Sequence, residues 1–278
     1  MSELLKLEDI YFQYEDYYIA LNDVSVSFKA GERVAVLGSN GAGKSTFFLC
    51  CNGVLRPQKG LISLNGQIIT DKKKDIYALR ESVGLVFQEP DSQIIAGNVE
   101  AEISFGPMNL GLSHEEVSKR TQKAVSQMNL EGYEERAPQY LSGGEKKRVS
   151  IADILAMKPK MILLDEPTAS LDPQNVVILE ETLNLLSDAG ITLVVSTHDV
   201  DFAYQFAKRA IVFSQGQIIA DEEISKVFAD DKILKKAGLK KPIIYEVQEQ
   251  LKKRFKKLDD RKIKSLEELK SYIANIDI

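Results

Sequence analysis

The chain has 278 residues, of which 44% are hydrophobic and 28% charged, and its formal net charge is −5. This length suits one α/β core with a small appendage. No stretch approaches the ~20 apolar residues of a membrane helix, and no secretory signal opens the chain, so we expect a soluble cytoplasmic protein. The only cysteines, Cys50 and Cys51, are adjacent in a predicted helix, which favours packing over a disulfide or a zinc site.

Near the amino terminus, residues 4 to 28 predict two short antiparallel strands joined by a tyrosine-rich turn. An apolar strand predicted at residues 33 to 37 then leads into a glycine-rich loop and a helix. The loop reads Gly38-Ser39-Asn40-Gly41-Ala42-Gly43-Lys44-Ser45, which fits the pattern G-x-x-x-x-G-K-[S/T]. Its backbone N–H groups would point at phosphate oxygens, Lys44 would reach the β and γ phosphates, and Ser45 would bind Mg²⁺. This order of strand, loop and helix predicts a half-site for ATP.

A second glycine-rich helix start occurs almost a hundred residues later. The region from about residue 89 to 158 is predicted to be helical, and one of its helices spans residues 141 to 157. That helix begins with Leu141-Ser142-Gly143-Gly144-Glu145. Its first N–H groups and the Ser142 hydroxyl would form another anion site. The chain therefore carries two half-sites for ATP that one fold cannot complete.

Two further strands bring acidic and histidine side chains to the core. Residues 161 to 164 form an apolar run typical of a strand buried on both faces, and Asp165 and Glu166 follow it. Ligands of open parallel sheets bind beyond the carboxyl ends of the strands, so Asp165 could hold Mg²⁺ while Glu166 polarises a water molecule. A strand at residues 192 to 196 likewise leads to His198, whose neutral imidazole can donate to phosphate.

These motifs, in this order, resemble those of the nucleotide-binding subunits of the ABC transporter family. The resemblance implies an α/β fold, with a P-loop NTPase core of the ABC ATPase type and an antiparallel β subdomain. The ATPase domain would span residues 1 to 220, with a helical subdomain inserted at about residues 89 to 158. Residues 221 to 278 would form a small C-terminal appendage.

The resemblance also implies roles for individual residues. Gln88 would lie between the metal and the transport partner, Tyr14 would stack on adenine, and His198 would contact the γ-phosphate. The residues predicted to bind ATP are Tyr14, Gly38, Ser39, Asn40, Gly41, Ala42, Gly43, Lys44, Ser45, Thr46, Ser142, Gly143 and Gly144. The predicted catalytic residues are Glu166, His198 and Gln88, and the predicted Mg²⁺ ligands are Ser45, Gln88 and Asp165.

A head-to-tail dimer is the arrangement that the resemblance implies for the two half-sites. The helix start at Ser142 of one subunit would close over the ATP held by the other, giving two composite sites by two-fold symmetry. Two residues depart from the usual family pattern. Glu145 stands in place of glutamine, which could alter this closure. Asp153 stands in place of a small or basic residue, and we expect it to alter only surface charge.

Three segments narrow the resemblance to the ATPases of energy-coupling factor importers, and among them to the cobalt-type ATPases, called CbiO or EcfA. They are residues 86 to 93, 105 to 112 and 165 to 173, although Ser170 stands where that family usually has glycine. The resemblance implies an ATP hydrolase that is peripheral to the cytoplasmic face of the cell membrane. Its partners would be a second ATPase, identical or paralogous, a membrane transmission subunit and a substrate-binding membrane subunit. Cobalt is the expected substrate, with nickel or a vitamin as alternatives.

Two other functions are open. One is a soluble ABC-type ATPase that acts on nucleic acid or ribosomes, and the other is a non-catalytic subunit. Repair and chromosome members of this superfamily insert long coiled coils between their ATP motifs, and translation-type members join two cassettes in one chain. This sequence does neither, so we expect no nucleic acid partner. Glu166 and His198 disfavour a non-catalytic role.

The last part of the chain differs in charge from the rest. Residues 221 to 278 hold 15 Lys and Arg against 12 Asp and Glu, a balance of +3, so the preceding residues carry −8. Ile243, Val247, Leu251 and Phe255 recur every four residues, which predicts an amphipathic helix. This segment could be an appendage that packs on the core, a dimerisation element or a surface attracted to an anionic membrane.

Overall fold

The fold is described by a computed structural model over residues 2–254 and 263–274. The strands of these residues are β1 (Glu3–Gln13), β2 (Ile19–Lys29), β3 (Arg33–Leu37), β4 (Lys59–Leu64), β5 (Gln67–Ile68), β6 (Val83–Val86), β7 (Met161–Asp165), β8 (Thr192–Ser196), β9 (Arg209–Ser214) and β10 (Gln217–Glu223). The helices are α1 (Lys44–Cys51), α2 (Lys73–Ser82), α3 (Val99–Asn109), α4 (His114–Gln127), α5 (Gly143–Ala156), α6 (Pro173–Asp188), α7 (Val200–Phe206), α8 (Ile224–Ala229), α9 (Asp231–Ala237), α10 (Ile243–Arg254) and α11 (Leu266–Ala274).

The strands form two sheets. Six of them lie in the order β10-β9-β3-β8-β7-β6 and are parallel except for the antiparallel β9–β10 pair. The other four form an antiparallel sheet in the order β2-β1-β4-β5. The carboxyl ends of β3, β7 and β8 meet at one edge of the larger sheet, because these strands are parallel neighbours. The segments that follow these three strands therefore lie side by side.

The larger sheet is buried on both faces, which explains its continuous apolar runs. One face, together with α1 and the antiparallel sheet, forms a first hydrophobic cluster. The other face packs against helices α3 to α9 in a second cluster. Cys50 and Cys51 lie in the first cluster as free, fully buried thiols, and burial raises the pKa of Cys50 to about 12.

The observed elements agree with the predicted ones where the sequence pattern is continuous. The α/β fold is confirmed, and β3 and β8 have the predicted bounds. Strands β1 and β2 have 11 residues each and are longer than the short strands predicted. Helix α5 begins at Gly143 rather than at Leu141, because Ser142 is its N-cap residue.

The chain beyond residue 220 consists of two parts. Strand β10 crosses that position, and α8 and α9 bury side chains in the second hydrophobic cluster, Phe228 and Leu234 among them. Helices α10 and α11 instead share a small cluster of their own, in which Leu251 packs near Leu269 and Tyr272. We therefore propose that the separable appendage begins near α10 rather than at residue 221.

The predicted apolar stripe of α10 is only partly covered. Val247 and Leu251 pack in the small cluster, whereas Ile243 is 67% exposed, and Phe255 lies outside the described residues. Contacts with α7 anchor the appendage, since the Ile243 N–H donates to Asp201 Oδ1 at 2.6 Å. Each helix of the described residues is too short or too polar to cross a membrane.

Candidate functional site

The loop between β3 and α1 is held in a shape that only glycine allows at its last position. Gly43 has φ 106°, and a Cβ atom there would lie 2.5 Å from the Ala20 carbonyl oxygen. The chain can therefore turn from β3 into α1 directly beneath β2. Residues of the loop and the start of α1 then line one cleft.

Lys44 is the first residue of α1 and is 6% exposed. Its ammonium donates to the carbonyl oxygens of Gly38 at 2.9 Å and Ser39 at 3.3 Å, and it lies 4.0 Å from Glu166 Oε1. Burial lowers the pKa of Lys44, and the charges of Glu166 and Asp165 oppose this effect. The ammonium is thus held inside the loop, where it can exchange a carbonyl partner for a phosphate oxygen.

Two buried carboxylates follow β7 at the same edge. The Ser196 hydroxyl, at the end of β8, donates to Asp165, and the Glu166 N–H donates to the Ser196 carbonyl oxygen at 3.1 Å. Glu166 Oε2 lies 2.9 Å from His198 Nδ1 and accepts from the His198 N–H at 3.3 Å. Strand β8 thereby fixes both acids. The Glu166 backbone has φ 42°, which turns the chain sharply after the strand.

These groups line one cleft of about 280 Å³. Its lining residues are Tyr18, Asn40, Gly41, Ala42, Gly43, Lys44, Ser45, Thr46, Gln88, Asp165 and Glu166. The structure thus brings together most residues of the predicted first half-site, with His198 in contact with Glu166 and with the carbonyls of Gly38 and Ser39 in contact with Lys44.

The donor groups of the cleft suit Mg²⁺. A hydroxyl from Ser45, an amide from Gln88 and a carboxylate from Asp165 line the same cavity. Magnesium prefers such oxygen ligands and is usually held by one or two carboxylates together with the phosphates of a substrate. The residues present therefore fit a Mg²⁺ ion that arrives with a nucleotide.

The tyrosine-rich turn contributes a residue that the sequence did not single out. Tyr18 lines the cleft, and its hydroxyl donates to the Gly41 carbonyl oxygen at 2.8 Å. Tyr14 lies beside Thr46, with which it shares a hydrogen bond of 3.1 Å, and its ring packs edge-on against Phe12. Four tyrosines within eight residues indicate an aromatic wall, but the sequence pattern alone cannot rank them.

The predicted second half-site does not line this cleft. Ser142 caps α5, accepting from the Glu145 N–H at 3.3 Å, while the Glu145 carboxylate accepts from the Ser142 N–H at 2.6 Å. Glu145 therefore completes a capping box, and the Ser142 N–H bond is the main cause of its lowered pKa. Gly143 is exposed, and Gly144 packs under the Asn175 side chain at the start of α6.

Asp153 was expected to alter only surface charge, and this expectation is wrong. Its half-buried carboxylate accepts from Gln93 Nε2 at 3.4 Å and lies near Gly106 of α3. Its pKa is raised to about 7, mainly by burial and also by the charge of Glu102, while the Gln93 hydrogen bond opposes both effects. Segments remote in sequence bury this carboxyl group, so helical periodicity does not reveal it.

A phosphate loop after the central strand β3, with carboxylates at the end of β7 on the far side of β8 in the same sheet, defines a P-loop nucleotide-binding protein. Comparison with known proteins narrows this class. The family model described as ABC transporter matches residues 21–169. The energy-coupling factor transporter ATP-binding protein EcfA of Methanocaldococcus jannaschii is 44% identical over 251 residues, covering 90% of each chain. The corresponding EcfA of Methanococcus maripaludis is 42% identical over 253 residues, covering 91% of each chain.

Solved structures agree with these relatives. CbiO1 from Clostridium perfringens, part of the ABC transporter complex CbiONQ, superposes with a TM-score of 0.75 at 37% identity, covering 90% of this chain and all of that one. The dimeric cassette MJ0796, bound to ADP and phosphate, gives 0.71 at 29% identity, covering 80% of this chain and 99% of that one. The chain therefore belongs to the ABC transporter family, as an ATP-binding and ATP-hydrolysing subunit of the energy-coupling factor type.

Proposed function

We propose that this chain energises a cobalt importer by hydrolysing MgATP in composite sites of an ATPase dimer. The observation that carries the proposal is the shared cleft of Lys44, Asp165 and Glu166 beneath the phosphate loop. A buried cation, loop N–H groups and two acids at one sheet edge match the needs of a triphosphate, its metal and an attacking water molecule.

The residues divide the chemistry between them. Lys44 exchanges its loop carbonyls for the β and γ phosphate oxygens, and Tyr14 stacks on the adenine ring. Bound Mg²⁺, held by Ser45, Gln88 and Asp165, would neutralise phosphate charge. Glu166 orients the water molecule in line with the γ-phosphorus and accepts its proton. His198, 2.9 Å from Glu166, holds that carboxylate and can move to the γ-phosphate.

The second half of each site would come from another subunit. Ser142, Gly143 and Gly144 begin α5 but lie outside the cleft of their own chain, so they are available to a nucleotide held elsewhere. A head-to-tail dimer places them over the partner's ATP and creates two equivalent sites. Binding of ATP then closes the dimer and hydrolysis opens it. The dimeric MJ0796 cassette supports this arrangement.

The membrane partners follow from the type of relative. CbiO1 is part of a CbiONQ transporter complex, and EcfA proteins are energy-coupling factor transporter subunits. We therefore infer a transmission subunit and a substrate-binding subunit in the membrane, with this chain bound peripherally at the cytoplasmic face. Cobalt as the cargo rests on the resemblance of residues 86 to 93 and 105 to 112 to cobalt-type ATPases.

A transport experiment tests the proposal. The tagged chain, expressed with the membrane proteins of its native host, should retain two membrane subunits through purification in detergent. Vesicles that contain this complex should take up radioactive cobalt when supplied with MgATP, and nickel should serve as the competing cargo. The matched control is Glu166→Gln, which should bind MgATP but slow turnover on the order of 100-fold or more. Uptake that is equal for the Glu166→Gln complex, or purification without membrane subunits, would contradict the proposal.

A further inference from the structure

A buried lysine of α5 forms hydrogen bonds with the segment that follows β6. Lys147 lies on the second turn of α5 and is 2% exposed. Its ammonium donates to the carbonyl oxygens of Phe87 at 3.0 Å and Gln88 at 2.7 Å. These are charge-assisted hydrogen bonds between a helix and the backbone of a loop. The position of the Gln88 backbone is therefore set by α5.

The Gln93 side chain binds the same segment through the Phe87 N–H group, whereas Lys147 binds it through carbonyl groups. The Gln93 amide oxygen accepts from the Phe87 N–H at 3.2 Å, and its Nε2 donates to the Ser150 carbonyl oxygen of α5 at 2.9 Å. Both backbone groups of Phe87 are thus tied to α5, one through Lys147 and the other through Gln93. Neither Lys147 nor Gln93 lines the nucleotide cleft.

Strand β6 and helix α5 are also in direct contact with each other. Gly84 of β6 faces Ile154 of α5, and a Cβ atom at Gly84 would lie only 2.2 Å from Ile154 Cγ2. So close an approach leaves no room for α5 to slide over β6. Strand β6 therefore fixes the C-terminal end of α5, while Lys147 ties the segment at Phe87 and Gln88 to the N-terminal part of the same helix.

A lysine at the buried position 147 indicates that its ammonium group has a specific role. An ammonium loses its hydration when it is buried, and an apolar side chain of similar length would avoid that cost. Burial lowers the pKa of Lys147 to about 8, although the charges of Glu89 and Asp165 oppose the shift. The cation is kept in place by the two carbonyl groups that it holds.

We propose that Lys147 is a positioning residue for Gln88, and that it makes the placement of Gln88 in its own cleft follow the placement of α5. The inference rests on the proposed function, because it takes Gln88 as a group that faces Mg²⁺. Helix α5 also begins with Ser142, which is proposed to close over the partner's ATP. Closure at one composite site would then carry Gln88 toward the metal of the other site.

The experiment measures how Mg²⁺ promotes nucleotide binding in full-length Glu166→Gln protein, in which hydrolysis is slow. A fluorescent ATP analogue is titrated first in EDTA and then at increasing Mg²⁺. Adding Lys147→Met removes both carbonyl contacts and keeps an apolar chain of similar length. We expect the Mg²⁺ concentration for half-maximal enhancement to rise roughly 10- to 100-fold, the usual effect of losing a group that orients a metal ligand. Affinity in EDTA should change less than about twofold, because the phosphate loop is untouched.

Lys146→Met is the matched control. Lys146 is the neighbouring lysine on the same helix, and it pairs at 2.6 Å with Asp91, whose side chain is 73% exposed. The Lys146 side chain is 18% exposed, and its loss leaves the bonds of Lys147 to the Phe87 and Gln88 carbonyl groups in place, so the Mg²⁺ dependence should stay unchanged. If Lys147→Met does not fold, Gln93→Leu releases Phe87 from the other side and should raise the same Mg²⁺ requirement.

The results distinguish a failure of the positioning role of Lys147 from a failure of the proposed function. Equal Mg²⁺ dependence in the Lys147→Met and Lys146→Met proteins would overturn the positioning role, as would an equal loss of affinity with and without Mg²⁺. A Glu166→Gln parent whose nucleotide binding ignores Mg²⁺ would overturn the proposed function itself.

Discussion

Single residues of the cleft carry the chemistry, and the aromatic wall is the part that sequence resolves least. Tyr14 is 38% exposed and touches Thr46, whereas Tyr18 lines the cleft and Tyr17 is 84% exposed. Tyr14→Ala should weaken ATP affinity by ~0.5–1.5 kcal/mol, the worth of an aromatic stacking contact beyond area burial. Tyr17→Ala is the control and should bind as the parent does. Calorimetric titration with MgATP checks both, and a loss confined to Tyr18→Ala would assign the stacking role to Tyr18.

The half-buried carboxyl group of Asp153 should make stability depend on pH. Its pKa in the folded protein is about 7, well above the ordinary value near 4, so the folded state binds the proton more tightly. This contribution to stability is complete below pH about 4 and is lost as the pH rises through about 7. Asp153→Asn removes the titration and should gain stability relative to the parent between pH 5, inside the range of about 4 to 7 over which the contribution is lost, and pH 8, above that range. Urea unfolding at both values measures it, and a pH-independent difference would refute the assignment.

Residue roles divide into those that local sequence reveals and those that tertiary packing creates. Lys44, Asp165 and Glu166 could be placed at one edge from the sequence, because each follows a strand of continuous apolar residues. Lys147 and Asp153 could not. Both are polar residues on a helix, and each is buried by segments more than fifty residues away in sequence. Hydrophobic periodicity shows which face of a helix is apolar, but it does not show which segments remote in sequence pack against that helix.

At the scale of elements, local sequence predicts the strands of the core better than it predicts the C-terminal part. Strands β7 and β8 are predictable because burial on both faces demands unbroken apolar runs. Strands β9 and β10 lie where no motif predicts structure, although β9 is a neighbour of the central strand β3. The boundary at residue 220 follows the change in charge, but α8 and α9 still bury their apolar side chains in the core. Net charge reports the surface and does not report where a core ends.

The placement of α10 and α11 gives a prediction for assembly. A chain that ends at Lys240 lacks both helices and keeps every residue of the cleft, so MgATP binding should survive. If the appendage holds two ATPases together, ATPase activity of this shorter chain should depend steeply on protein concentration, because the effective concentration of a tethered partner is lost. Sedimentation without nucleotide should show a dimer for the full chain and a monomer for the shorter one.

A second truncation controls for loss of the fold. A chain that ends at Ala220 loses the last three of the seven residues of β10 together with α8 and α9, so buried core surface is exposed and its stability should fall. Equal sedimentation of the full chain and the chain ending at Lys240, with the same concentration dependence of turnover, would leave the appendage without a role in dimerisation.

On the scale of the whole molecule, we propose that each ATP site is completed by two half-sites from different subunits. The cleft contains the phosphate loop and both acids, while Ser142 begins a helix outside it. The fold and the first half-site follow from the order of motifs along the chain. In the proposed dimer, the second half-site reaches a nucleotide only through a partner subunit, because symmetry and not chain connectivity brings the two together.

Complementation between two inactive variants tests this claim most directly. Lys44→Ala disables the phosphate loop and leaves α5 intact, whereas Ser142→Arg blocks the start of α5 and leaves the loop intact. Each protein alone should hydrolyse ATP poorly. Mixed and allowed to exchange subunits, they should recover about a quarter of the normal turnover, because half of the dimers are mixed and each mixed dimer has one complete site of two. Absence of any recovery, when exchange is verified with differently tagged subunits, would contradict a site shared between subunits.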